Sequence, residues 1–159
     1  MRLLLCAVLM MGLYFPGKSQ PKNYLVKIDA LNKRIANGGD TVYIVNFWAT
    51  WCGPCVEELV HFEKLNKDYS ADKLKVILVN VDFRSKLQKT VIPFVKKRKL
   101  RSEVFLLDEK NQQEYIDNID PAWSGAIPAT LMVKGKQRKF FEEEFDYKKL
   151  LSQYLNIKK

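Results

Sequence analysis

The stretch Asn46-Phe-Trp-Ala-Thr-Trp-Cys-Gly-Pro-Cys55 follows Thr41-Val-Tyr-Ile-Val45, whose alternating, β-branched residues read as a strand. Two thiols two residues apart have three familiar uses: a zinc site, a structural staple, or a redox pair. A closed zinc site takes four Cys or His ligands, and beyond this pair the expected mature chain offers a single histidine, His61. A staple across two intervening residues closes a very small loop, where the chain-entropy gain of a disulfide is least. A pair that opens and closes remains. The following residues support it: Gly53-Pro-Cys-Val-Glu-Glu-Leu-Val-His-Phe62 reads as a helix start, with Pro54 in the first turn, where its missing N–H is no loss. Val56, Leu59, Val60 and Phe62 supply apolar residues at helical spacing. Cys52 then sits at a helix N-terminus, where free N–H groups and the dipole favour a thiolate and lower its pKa below the free value of about 8.5. Cys52 is therefore assigned as the nucleophile and Cys55, one turn inward, as the resolving thiol.

The rest of the chain sets the context. At 159 residues and 47% hydrophobic, without internal repeats, it suits one compact domain with its own core. The formal charge of +9 is spread along the chain among 18 acidic residues, and no aromatic-basic motif of the known nucleic-acid modules accompanies it, so nucleic acid is not an expected partner. The densest basic run, Lys96-Lys-Arg-Lys99 with Arg101, closes an expected helix, where cations offset the negative end of the dipole. At the N-terminus, Arg2 precedes the apolar run Leu3 to Phe15, and Gly17 and Ser19 supply small residues for cleavage after Ser19. That run is shorter than the ~20 apolar residues of a spanning helix. Residues 1–19 are expected to form a signal peptide, with an uncleaved membrane anchor as the alternative, and residues 20–159 the mature domain. Cys6 lies within the run and reads as a small hydrophobe, leaving Cys52 and Cys55 as the mature thiols.

The segment Asn46 to Cys55 resembles the active-site segment of thioredoxin-fold proteins, specifically the exported TlpA/ResA-like thiol-disulfide reductases. The likeness extends to Glu58, an acid three places after the second cysteine, and to Gly125-Ala-Ile-Pro-Ala-Thr-Leu-Met-Val133, which resembles their cis-proline loop and following strand. It spans roughly Tyr24 to Leu155. Val60 departs from it, standing where many relatives have proline, and Lys110 to Trp123 shows no pattern that carries over. The resemblance implies a thioredoxin-like three-layer α/β/α sandwich with a mixed central sheet. It also implies a cis Ile127–Pro128 bond set against the disulfide, with the backbone of Ile127 free to pair with an extended substrate peptide. Trp51, Gly53, Pro54, Ile127 and Pro128 are the expected substrate-binding or supporting residues. Cytoplasmic thioredoxins place a buried aspartate at the position of Asn46, credited with taking the proton from the resolving cysteine; an amide cannot act as that base. Glu58 and Asp82 stand as candidate proton acceptors. The ordinary alternatives are a helix N-terminal charge for Glu58 and a strand-end or capping role for Asp82.

Patterning along the chain agrees with that fold. Tyr24 to Ile28 reads as a short strand, Asp29 to Ala36 as a helix capped by Asp29, and Asn37-Gly-Gly-Asp40 as a turn. Strand Val42 to Trp48 leads into the cysteine helix, which ends near Tyr69. The nearly continuous apolar run Lys75 to Val81 marks a strand buried on both faces. A helix from Leu87 to Lys99, interrupted or started by Pro93, precedes a strand from Glu103 to Leu107. Thr130 to Val133, a turn at Lys134-Gly-Lys-Gln137, and Arg138 to Glu142 form a terminal hairpin, and Tyr147 to Leu155 the last helix. Two β-α-β crossovers imply parallel pairing. Trp48 is read as a packing residue, Trp51 as a half-exposed platform, Trp123 as either a groove wall or a core cover, and His61 as solvated. The expected activity is disulfide reduction in other envelope proteins by a monomer that uses no cofactor and no metal, recharged by a membrane thiol-disulfide donor. The rivals are a Cu(I)-binding chaperone for oxidase assembly and an oxidant or isomerase of folding.

Overall fold

The computed structural model describes residues 24–159, so the expected signal segment 1–19 and Cys6 lie outside the described residues. Strand β1 (Leu25–Val26) is followed by α1 (Ile28–Ala36), β2 (Val42–Trp48), α2 (Gly53–Asp68) and β3 (Leu74–Asn80). A π-helical turn over Leu87–Val91 runs into α3 (Ile92–Arg98), and then come β4 (Glu103–Leu107), α4 (Gln112–Ile119), β5 (Ala129–Lys134), β6 (Gln137–Phe141) and α5 (Tyr147–Lys158). The sheet order is β1-β4-β3-β2-β5-β6. The first four are parallel, while β5 runs antiparallel to β2 and β6 antiparallel to β5. This is the mixed sheet of a thioredoxin-like three-layer sandwich.

The period of two along β2 divides its side chains between two cores. Val42, Ile44 and Trp48 join Leu59, Phe62 and Leu65 of α2 and Leu150, Tyr154 and Ile157 of α5. Tyr43, Val45 and Phe47 join Ile28, Leu31 and Ile35 of α1 and Ile116 and Ile119 of α4. Strand β3 alternates likewise, Val76 and Leu78 to the first core and Ile77 and Val79 to the second. Being buried on both faces, it reads in sequence as one apolar run. Both strands end at the same edge, Trp48 beside Asn80, and the chain leaves that edge into the cysteine helix.

Several local expectations are corrected. Asp29 does not cap α1; Lys27 stands at that position, Ile28 opens the helix, and the Ile28 N–H donates to Glu109 Oε1 at 2.8 Å, a partner supplied from the distant β4–α4 connection. Asp29 instead places its charge in the first turn, near the positive end of the dipole. The helix expected from Leu87 does begin there, as a π-helical turn over Leu87–Val91 that passes without a break into α3 at Ile92, with Pro93 at the junction where the winding changes. Val60 is 62% exposed, a full step of helical rotation off the face carrying Cys55, Leu59 and Phe62. The stretch Lys110 to Trp123, which carried no readable pattern, holds α4, capped by Asn111 and anchored by Ile116 and Ile119. The β5–β6 hairpin closes through Gly135 at φ 55°, a left-handed geometry that suits glycine.

Candidate active site

Cys52 is the N-cap residue of α2, with extended backbone, and its Sγ accepts the Cys55 N–H at 3.3 Å. The two cysteines form a disulfide with Sγ–Sγ 2.04 Å and Cα–Cα 5.3 Å. Cys55 is wholly buried, and Cys52, although at the helix end, is only 7% exposed. The cause is the facing loop: the Ile127–Pro128 peptide bond is cis, and Ile127 O lies 3.8 Å from Cys52 Sγ. That loop is tied from the far side by Glu142, whose carboxylate accepts from Ser124 N at 3.1 Å and Ala126 N at 3.2 Å, and from the Ser124 hydroxyl. Gly125 takes φ 92°, a backbone conformation in which a side chain is strained, and a Cβ there would also push against Ile116 Cδ1 at 2.8 Å.

Both candidate acids are buried, in different ways. Asp82 follows β3 and reaches back to the loop before Cys52: Oδ2 accepts Thr50 N at 2.8 Å and Oδ1 accepts the Thr50 hydroxyl at 3.0 Å. Asn80 Nδ2 donates to the same Oδ2 at 2.8 Å. Asp82 thus braces the Thr50–Cys52 turn rather than ending a strand in solvent. For Asn80 the sequence carries a signal, the alternation Asn80-Val-Asp82, which puts both polar residues on one side of the strand end; Thr50 has none.

Glu58 is fully buried, one turn beyond Cys55, and is not a surface charge at the helix start. Its Oε2 accepts the Phe145 N–H at 2.7 Å and its Oε1 accepts Asn46 Nδ2 at 2.6 Å. Desolvation pushes its carboxyl up to about 7, with the Phe145 and Asn46 hydrogen bonds pulling the other way. Asn46 also donates to Thr130 Oγ1 at 3.2 Å, while its own Oδ1 has no partner. An amide suits this position in both protonation states of Glu58. It donates to the carboxylate as found, and turned over it presents Oδ1 to accept from the carboxylic acid.

Among the aromatics, Trp48 is fully buried against Phe94, with ring centres 5.2 Å apart. Trp51 stands 71% exposed, further into solvent than a half-covered platform. Trp123 is both core cover and groove wall. It packs on Phe47 at 5.0 Å, donates its indole N–H to Ala126 O at 2.7 Å, and lines a groove with Trp51 and Ile127. His61 is partly buried, and among the described residues no group of three or more His, Cys, Asp or Glu side chains is placed to hold a metal ion. A larger groove of about 920 Å³ between α2 and the turn after α3 is lined by Lys67, Arg98, Lys99 and Arg101 but reaches neither cysteine.

Comparison with known proteins places this arrangement. Residues 21–138 match the AhpC/TSA family. The sporulation thiol-disulfide oxidoreductase A of Bacillus subtilis is 32% identical over 122 residues, covering 70% of this chain and 73% of the relative. The thioredoxin-like protein YneN of the same organism is 35% identical over 94 residues, covering 59% of this chain and 54% of that protein. Among solved structures, a thioredoxin-family thiol:disulfide interchange protein from Chlorobium tepidum superposes with a TM-score of 0.63 at 18% identity, covering 78% of this chain and 84% of that one. A redox-spaced cysteine pair capping α2, a cis-proline loop across from it and these relatives agree: the chain belongs to the AhpC/TSA family, among its thioredoxin-like thiol-disulfide oxidoreductases.

Proposed function

We propose that this oxidoreductase works as a reductase of disulfides in proteins of the cell envelope, exported by its N-terminal segment. The observation that carries the reading is the placement of Cys52 Sγ at the start of α2, 3.8 Å from the carbonyl of Ile127 in the cis-proline loop. A substrate strand laid along that loop brings its disulfide to the nucleophile. The Cys52 thiolate attacks one substrate sulfur; a Cys52–substrate disulfide forms and the other substrate sulfur leaves as a thiolate. Cys55 then loses its proton and attacks Cys52 Sγ, the mixed disulfide breaks, and the second substrate thiolate departs. Two electrons have passed from the dithiol to the substrate disulfide, and the oxidised pair is recharged by a dithiol donor, for which a membrane thiol-disulfide protein is the partner of choice.

Glu58 takes the proton of Cys55 in this scheme. It lies three residues further along the same helix, on the same side, and a carboxyl that titrates at about 7 is half ionised at neutral pH. Asp82, holding the Thr50 turn with both oxygens, serves as a positioning residue for Cys52. Export is supported by Arg2 and the apolar run Leu3 to Phe15; no helix among the described residues is long and apolar enough to cross a membrane. The test is alkylation of the reduced protein with iodoacetamide, followed by trapping with a Cys55→Ala variant in the native envelope. Cys52 is expected to label first and to hold protein substrates as mixed disulfides; labelling of Cys55 first overturns the assignment of roles.

A further inference from the structure

Next to the disulfide, a groove of about 340 Å³ opens between the Cys52 loop, the segment after β3 and helix α4. Its walls include Trp51, Phe83, Leu107, Tyr115, Trp123 and Ile127. Phe83 is 82% exposed and Trp51 71%, more than the other exposed large apolar side chains of the described residues. Large aromatics held in water beside a reactive site mark a surface that a partner covers. The floor is fixed in advance: Trp123 is wedged among Phe47, Tyr115 and Phe140, and its indole N–H is held by Ala126 O. At the rim Arg84 is paired with Asp108 at 2.6 Å and Glu109 with Lys27 and the Ile28 N–H, while Lys110 adds a cation at the edge. An apolar occupant therefore meets aromatic walls without stripping water from an unpaired charge at the paired positions.

The occupant follows from continuity with the disulfide. Trp51 and Ile127 belong to the groove and also flank Cys52, so one end of the groove is the point where a substrate sulfur must arrive. An extended chain advances about 3.3 Å per residue, and a residue adjoining the substrate cysteine then lies over the groove, with alternate side chains pointing into it. We propose that this groove is a specificity subsite that takes a large apolar side chain, aromatic by preference, beside the reactive cysteine of a protein disulfide. The inference rests on the reading of the chain as a reductase of protein disulfides.

The test compares reduced wild-type protein and its Phe83→Ser variant on two disulfide-bearing peptides, identical except that the residues flanking the cysteine are Phe in one and Ser in the other. Hydroxyethyl disulfide, too small to reach the groove, is reduced in parallel by the wild-type protein. The wild-type protein should react with the Phe-flanked peptide about tenfold faster, the scale on which an apolar pocket discriminates side chains, and the ratio should fall toward one in Phe83→Ser. Phe83 lies at the surface, so circular dichroism and melting of the variant should match the parent. Equal rates for the two peptides with wild-type protein, or a ratio unchanged by Phe83→Ser, overturn the subsite while reduction of hydroxyethyl disulfide leaves the reductase reading standing. Loss of hydroxyethyl disulfide reduction sinks the reductase reading, and the subsite with it.

Discussion

Glu58→Gln isolates a single buried titration. In the folded protein the Glu58 carboxyl is pushed up to about 7 from the 4.5 of a free group, chiefly because burial disfavours its charge. Between those values the folded protein keeps a proton that the unfolded chain has released. Stability contributed by this group is therefore complete below the lower value, falls as pH rises through the window, and is level again above about 7. At about 1.4 kcal/mol per pKa unit, the gap between the two values amounts to about 3 kcal/mol across the window. Glutamine fills the same volume, and the unpartnered Oδ1 of Asn46 can turn to accept its amide. Urea unfolding of the oxidised wild-type and Glu58→Gln proteins from about pH 4.5 to 8 should show the variant gaining about 3 kcal/mol relative to the wild type as pH rises. All other groups titrate in both proteins and cancel in the difference. Parallel stability curves, with the two proteins separated by a constant amount, would refute this account of Glu58.

Other substitutions probe the surrounding parts. Asn46→Asp sets a second carboxyl against Glu58, where two charges about 4 Å apart repel by roughly 4 kcal/mol in a protein-like dielectric; the pair should share one proton at neutral pH, and thiolate formation at Cys52 should move to higher pH. Identical thiolate absorbance titrations in the two proteins would show that this position does not sense the dithiol. Asp82→Ala releases Thr50 N and its hydroxyl, which should lower the unfolding free energy by about 2 kcal/mol and speed hydrogen exchange at the Thr50 amide. Gly53→His should fold normally, since no atom lies within 4 Å of the place a Cβ would take, and should raise the dithiol potential by about 30 mV or more by holding the Cys52 thiolate; an unchanged potential would mean that this position is electrostatically remote.

The parts legible in the sequence are those set by short-range chemistry. Val42 to Trp48 alternates between two cores, a pattern that predicts the strand to its limits, and Pro54 with the apolar spacing behind it predicts the cysteine helix. The terminal hairpin was equally plain, its turn fixed by Gly135. The parts that escaped are those made by distant partners. Glu58 is a candidate proton acceptor in the sequence, but its burial is not legible there, because its partner, the Phe145 N–H, comes from 87 residues further along. The start of α1 was misplaced because Glu109, 81 residues on from Ile28, supplies the missing acceptor. Helix α4 has only eight residues and two fully buried apolar anchors, Ile116 and Ile119, too few for a periodic signal. It is that helix, with Phe83 and Trp123, that forms the groove beside the disulfide, so the candidate specificity surface was the least readable part of the site.

The direction of electron flow is the central claim, and the dithiol potential tests it most directly. Gly53-Pro54 is the dipeptide of reducing thioredoxins near −270 mV, whereas oxidants near −120 mV owe their potential to a strongly stabilised reduced form. Here that stabilisation comes from the helix N-terminus, and no side-chain donor to Cys52 Sγ is seen among the described residues. Among the described residues, the hydrogen bond recorded to Cys52 Sγ as acceptor comes from Cys55 N, its neighbour across the site is the Ile127 carbonyl, which cannot donate, and Gly53 adds no side chain. Equilibration of the protein against glutathione should give a potential nearer about −270 mV, and acid-trapping in the native cell should find the pair predominantly reduced. A potential above about −180 mV, with the disulfide dominant in the cell, would contradict the reductase account and make this chain a catalyst of disulfide formation or isomerisation.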